Sequence, residues 1–291
     1  MLHILIHILP NEIDHLENTL IQLKKNSKYI NGKEFLVEVI LNNNLTDWKQ
    51  SKLDKDYFKS KLFTLEKFTQ SWAQTNFWIS NNNEIIGCTD QRRLAARTQN
   101  CEAFIWLDVD IIFSDTLLFH MVEGFKAAKA INPYIIITPE TTRVWDNTWD
   151  IITNKEALKD EASHQNYFNR DPYLTTGLMG DTSLKSIDTF KFAGGWFTLV
   201  SKELITKVDI PDEMGPYFMD DTFVMFCCEL GKQKGFTAQQ YILENEVIIE
   251  NNLFRFNHYK DYIVNVNRKD EFMQTAQTNF PSSVSKFLSS L

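Results

Sequence analysis

Ala103-Phe104-Ile105-Trp106-Leu107-Asp108-Val109-Asp110 is the stretch that decides the fold. Its first five residues are all apolar, the length of a strand buried on both faces. The run then stops at two aspartates separated by one valine. Residues two apart in an extended segment project the same way, so Asp108 and Asp110 are expected on one side. Two carboxylates there repel each other unless a cation sits between them. A hard divalent ion with oxygen ligands, Mg²⁺ or Mn²⁺, resolves that repulsion and bridges a diphosphate. Strand ends in open α/β sheets are also where ligands bind. The competing reading is a solvated turn whose acids cap the next helix.

Outward from this stretch the pattern alternates between strand and helix. Residues 2–9 (LHILIHIL) predict a buried strand stopped by Pro10. Asn11 and Asp14 predict a capping box for the helix that carries Ile13, Leu16, Leu20 and Leu23. Residues 35–41 (FLVEVIL) predict a second strand, and 62–65 a short third one. Thr89-Asp90 opens a helix over 91–100 that is rich in Arg and Ala. Beyond Asp110 the pattern predicts a helix over 115–130 and a strand over 134–138. Residues 140–190 are polar and irregular, with Trp145, Trp149 and Tyr173. Order returns with a strand over 192–200, a helix from Ser201 and a helix over 221–230. This order predicts α/β architecture around a mostly parallel, Rossmann-like sheet flanked by helices.

The chain has 291 residues, enough for two domains or one large α/β unit. No Pro/Gly/Ser-rich linker divides it, so one unit spanning 1–291 is expected, with an irregular insertion. With 43 % hydrophobic residues and 22 Phe, it is globular rather than disordered or collagen-like. The net charge of -8 argues against a nucleic-acid partner, which needs a basic footprint. Cys88, Cys101, Cys227 and Cys228 form no CxxC pair and read as buried free thiols in a reducing compartment. The N-terminus has no basic flank or small-residue cleavage site, and no run of about 18 apolar residues occurs, so neither a signal peptide nor a membrane span is expected. A cytoplasmic location follows as an expectation.

The chain resembles the nucleotide-sugar glycosyltransferases of the GT-A fold, and within them the large inverting family. Five blocks carry the resemblance. The first is the N-terminal strand with Pro10-Asn11-Glu12. The second is Asn42-Asn43-Asn44-Leu45-Thr46-Asp47, where the family has an acid-rich turn that holds the nucleoside. Asp47 is kept, while Asn42 and Asn43 stand for the leading acids. The third places Arg92 and Arg93 ahead of Asp108 and Asp110, the family's metal-binding Asp-x-Asp. A guanidinium clamps phosphate in bidentate geometry, yet Arg92 is rotated about 100° from Arg93 on a helix, and Arg93 shares its face with Arg97. The fourth is Gly194-Gly195-Trp196, where glycines admit a sugar or diphosphate and Trp196 stacks or packs. The fifth is Asp220-Asp221 before an apolar helix, with Gly231 and Gly235 at its exit.

The resemblance implies a single transferase domain: a donor half over about 1–138, an acceptor half over about 139–260 and a tail over 261–291. The donor would be a nucleotide diphosphate sugar held by Asn42, Asn43, Asp47, Arg92, Arg93, Asp108, Gly194, Gly195 and Trp196. Mn²⁺ or Mg²⁺ would sit on Asp108 and Asp110, with His258 as a third ligand, and no resemblance fixes that last position. Asp221 would deprotonate the acceptor hydroxyl beside Asp220, with inversion. The acceptor, whether a glycan, a lipid-linked sugar or a small molecule, is unspecified. The alternatives are a retaining transferase, a nucleotidyltransferase (which lacks its Gly-rich basic loop here) and a transferase-like module that only binds. The sparse apolar positions of 270–291, Phe272, Phe280, Val284, Phe287 and Leu288, fit docking on the core, association or a membrane surface equally.

Overall fold

The structure, a computed structural model, describes residues 1–9, 12–41, 54–80, 86–143, 182–190, 196–250 and 267–291. Nine strands join in one sheet. They are β1 (Leu2–Ile8), β2 (Phe35–Leu41), β3 (Gln74–Ile79), β4 (Ala103–Leu107), β5 (Ile111–Ile112), β6 (Ile135–Arg143), β7 (Leu184–Ile187), β8 (Phe197–Ser201) and β9 (Gln239–Glu250). The order is β3-β2-β1-β4-β8-β6-β9-β5, with β7 on β9.

The β3-β2-β1-β4 half is parallel throughout. Antiparallel β8 then inserts between β4 and β6. The sheet is thus mixed, with its parallel character concentrated in the N-terminal half. The chain has the expected α/β architecture, and Asp108 lies just past the end of β4, at the seam where strand direction changes.

Among the described residues seven helices cover the two faces. They are α1 (Ile13–Asn26), α2 (Lys55–Gln70), α3 (Cys88–Thr98), α4 (Leu117–Lys129), α5 (Lys202–Val208), α6 (Asp220–Gly231) and α7 (Asn267–Ser289). The even positions of β1, Ile4, Ile6 and Ile8, pack with α1, α2 and α4, through Leu16, Leu20, Phe58 and Met121. Leu5 faces the other way, into a core with Ala95, Phe104, Trp106, Leu204 and Phe223. Both faces are buried, so the central strands read as continuous apolar runs.

One expectation changes. Residues 62–65 lie inside α2, where Phe58, Leu62 and Leu65 recur at helical spacing and are buried. A four-residue apolar run cannot separate strand from helix. The third strand is instead β3, whose leading Gln-Thr-Asn masks an edge strand. Helix α1 has Glu12 at its N-cap position, and the Asn11 half of the expected Asn11–Asp14 box falls outside the described residues. The Glu12 carboxylate accepts the Leu9 N–H at 2.7 Å. Strand β9 stands where the sequence pattern predicts no element. Its Glu-Asn-Glu centre interrupts the apolar pattern, and Asn245 there has φ 67°. The irregularity opposite Pro139 and Thr141 absorbs it, and the Asn245 N–H donates to Glu140 Oε2 at 2.7 Å. Glu246 is fully buried and balanced by His120 Nδ1 at 2.7 Å and Ser114 Oγ at 2.8 Å.

The C-terminal segment docks on the core. Ala276, Val284 and Phe287 of α7 are buried, and the Phe280 ring meets Phe223 and Phe226 of α6 edge-on. All four cysteines are free thiols. Among the described residues no helix is long and apolar enough to cross a membrane.

Candidate active site

Arg92 organises the site. It sits on α3, which runs across the sheet under the ends of β1 and β4. Its guanidinium is buried, stacked 4.8 Å over the Trp106 ring. One nitrogen donates to Asp220 Oδ2 at 2.8 Å, and another stands 3.6 Å from Asp108 Oδ1. Acids more than a hundred positions apart thus converge on one cation. Asp220 keeps 3 % of its side-chain surface open, and Asp108 keeps 40 %. The inner acid is a structural counter-ion, while the outer one faces solvent and whatever binds there.

Asp108 follows β4, and its N–H donates to the Trp196 carbonyl at 3.1 Å. Val109 and Asp110 form a turn, so strand alternation does not govern this pair as the sequence suggests. The Thr19 hydroxyl pins the turn by donating to the Val109 carbonyl at 2.7 Å. Asp110 is buried in that turn, and the Trp196 indole is buried in the core beside Phe197. Asn42, Asn43, Asp47, Gly194, Gly195 and His258 lie outside the described residues, as do Trp145, Trp149 and Tyr173.

Asp220 and Asp221 open α6, where the helix dipole favours negative charge. The two residues before them, Phe218 and Met219, are both left-handed, with φ 72° and 60°. Such backbone costs about 1–3 kcal/mol per residue and clusters at functional sites. Burial and the neighbouring Asp220 charge push the Asp221 carboxyl up to about 6, against the opposing pull of Arg92 and Thr222. A carboxylate with that pKa is poised to take a proton near neutral pH. Cys88, also near Arg92, is pushed up to about 12 by burial and the acids around it, so its thiol stays protonated. His7 lies at the end of β1, its Nε2 2.8 Å from the Ile86 carbonyl and its ring edge-on to Tyr217. Burial brings it down to about 4, which keeps it neutral.

Arg93 turns away from this cluster. Its nitrogens donate to the carbonyls of Ile210 (3.1 Å), Pro211 (2.8 Å) and Gly215 (3.0 Å), and to Asp90 (2.7 Å). Arg97 follows it onto Asp209 and Asp212. The expected rotation between Arg92 and Arg93 is therefore what splits their partners. The structure brings Arg92, Asp108, Asp220 and Asp221 together and does not bring Arg93 to them.

Gly87 had not stood out in the sequence. A Cβ there would lie 1.9 Å from the Pro216 carbonyl oxygen, 2.5 Å from its carbon and 2.8 Å from Tyr217 Cδ2. The Pro216 carbonyl is also the acceptor for the Thr89 N–H at the start of α3. A glycine just ahead of a helix start, paired with a distant X-Pro loop, is the only trace of this contact in sequence. Gly87→Ala is expected to destabilise the fold by about 1–3 kcal/mol through overpacking, read as a lower melting temperature.

Comparison with known proteins gives a likeness of fold. No protein-family model and no curated protein sequence matches the chain. Among solved structures, residues 1–349 of TarS from S. aureus, in complex with UDP-GlcNAc, align at TM-score 0.50 and 10 % identity, covering 85 % of this chain and 57 % of that one. The longer S. aureus TarS structure aligns at TM-score 0.50 and 10 % identity, with 90 % and 38 % covered. The mannosyltransferase PcManGT from Pyrobaculum calidifontis, in complex with GDP-Man and Mn²⁺, gives 0.49 and 11 %, with 99 % and 73 % covered. The chain therefore has the α/β fold of the TarS structures and spans about half the length, or less, of those two.

Proposed function

We propose that the chain is a glycosyltransferase that moves a sugar from a nucleotide diphosphate sugar to an acceptor hydroxyl, with inversion and with Asp221 as the base. The observation that carries this reading is the convergence of Asp108, Asp220 and Asp221 around buried Arg92 at the sheet seam. Among the described residues, only there do an exposed acid at a strand end and an acid raised to about 6 meet. The TarS fold likeness supports the same class, and the UDP-GlcNAc of that structure supports a nucleotide sugar as donor.

The donor set fits a hard divalent cation. Among the described residues no third His, Cys, Asp or Glu joins a metal cluster. Two carboxylates with diphosphate oxygens and water are nevertheless what Mg²⁺ or Mn²⁺ takes at a phosphate site. Asp108 and Asp110 would hold it, with His258 a further candidate. When bound, such a cation stabilises charge on the departing diphosphate. The chain's own residues do the rest. Arg92 holds Asp220 in place through the 2.8 Å ion pair, Asp220 raises Asp221, and Asp221 accepts the acceptor's hydroxyl proton as its oxygen attacks the anomeric carbon.

A thermal-shift screen of nucleotide sugars with Mn²⁺ tests the reading, since a ligand that binds the native state raises its stability. The expected result is a shift for one nucleotide series, lost in Asp110→Ala. No shift with any donor would leave the binding-module alternative standing. A product with retained anomeric configuration would remove Asp221 as base.

A further inference from the structure

We infer that Arg93 is a positioning residue that holds the 210–219 loop, and through it Asp220 and Asp221, and that it does not touch the donor. The inference rests on the catalytic reading of Asp221. Four observations carry it.

First, the loop has little internal structure. Its regular content is one 3₁₀ turn at Asp212–Met214. Its backbone enters the left-handed region at Asp209, Gly215, Phe218 and Met219. Non-glycine residues persist there only where the surroundings over-determine them. Second, α3 supplies the buried polar contacts among those surroundings. The Arg93 guanidinium is buried and spends its donors on three loop carbonyls, with Asp90 and Asp212 beside it. A planar fork of five donors can serve three carbonyls at once, which a lysine ammonium cannot do in the same geometry. Third, the loop is clamped at the points that flank this grip. Arg97 holds Asp209 and Asp212, and the Pro216 carbonyl accepts from the α3 amides. From the opposite side, Asn279 of α7 donates to the Glu213 carbonyl at 2.6 Å, and Phe272 packs on Tyr217. Fourth, the loop leads without a break into the first turn of α6, where Asp220 and Asp221 sit. Fixing Ile210 to Gly215 therefore fixes where Asp221 stands relative to Asp108.

The sequence offered Arg92 and Arg93 as a pair serving one ligand. The structure divides the work between them. Arg92 supplies charge to the acids, and Arg93 supplies geometry to the segment that presents them.

The test uses the full chain and the variants Arg93→Met and Arg93→Lys, with Arg93→Lys keeping the charge in case Arg93→Met fails to fold. Amide hydrogen exchange over residues 209–222 is read without any substrate. Exchange there is expected to speed up at least tenfold in both variants, with β1 and β4 unchanged. Unchanged exchange in that segment would overturn the inference, whatever the activity. In transfer assays kcat is expected to fall about 10- to 100-fold, while KM for the nucleotide sugar stays within about threefold, as for a group that acts on orientation rather than on binding. A raised donor KM at constant kcat would instead make Arg93 a donor ligand and overturn the inference. If the wild-type chain transfers no sugar, the proposed function falls, while the exchange experiment still decides the clasp.

Discussion

Asp221→Asn is expected to lower kcat by about 10²- to 10⁴-fold, the contribution of a positioned proton acceptor, while the affinity for nucleotide sugar and Mn²⁺ holds. The amide keeps the shape of the side chain but cannot take the hydroxyl proton. A loss smaller than tenfold in single-turnover transfer would remove Asp221 from that role. The pH dependence follows from the same residue. Its carboxyl is pushed up to about 6 by burial first and by Asp220 second. The base works ionised, so log(kcat/KM) should climb with unit slope below pH about 6 and level off above it.

The effect on stability runs the other way. A free aspartate ionises near about 3.9, whereas the folded chain holds this proton until about 6. Between those values the native state binds more protons than the unfolded one. Stability should fall as pH rises through that window and stay lower above it. Asp221→Asn removes this contribution. At pH 8 the variant should melt at or above the wild-type temperature while being inactive. At pH 3.5 the two should melt alike. Melting curves at the two pH values check this, and a variant less stable at pH 8 would contradict the buried-acid reading.

Arg92→Met is expected to cost about 3–5 kcal/mol, the penalty for stranding a buried charge by removing its partner. At roughly 2–4 °C per kcal/mol for larger domains, that is a melting temperature lower by about 10 °C. Methionine keeps most of the apolar stem but loses both the ion pair and the stacking of the guanidinium on Trp106, so the loss reports the guanidinium. Asp220 is nearly closed to solvent and accepts its 2.8 Å hydrogen bond from that guanidinium. The double variant Arg92→Met/Asp220→Asn is therefore expected to recover a large part of the deficit, and a double-mutant cycle isolates the coupling. If the double variant is no more stable than Arg92→Met, the ion pair is not the source of the loss.

Sequence pattern reveals the fold wherever burial is two-sided. AFIWL and LHILIHIL are apolar runs bounded by turn signals, which predict buried strands, and they are the sheet centre. Where an element sits at an edge or carries buried polar residues, the pattern thins. β3 begins with three polar residues because one side of it is open, and β9 hides Glu246 among apolar positions because His120 and Ser114 satisfy it. The site divides in the same way. Asp108, Asp220 and Asp221 are legible because paired acids beside apolar runs are hard to place otherwise. The reach of Arg92 from α3 to Asp220 is legible only as a residue type, since 128 positions separate the partners. The role of Arg93 is not legible at all. Its partners are backbone carbonyls, and carbonyls have no signature in a sequence.

The docking of α7 over α6 sets an order of assembly during synthesis. Phe280 follows Phe223 by 57 positions. At roughly 5–20 residues per second, the Phe223 and Phe226 rings wait on the order of 3–11 s for Phe280 to cover them. Over that interval the acid-bearing helix exists without its outer partner. The nascent chain carries Asp220 and Asp221 before it can hold them still, and an apolar helix face is open to whatever meets the growing polypeptide first.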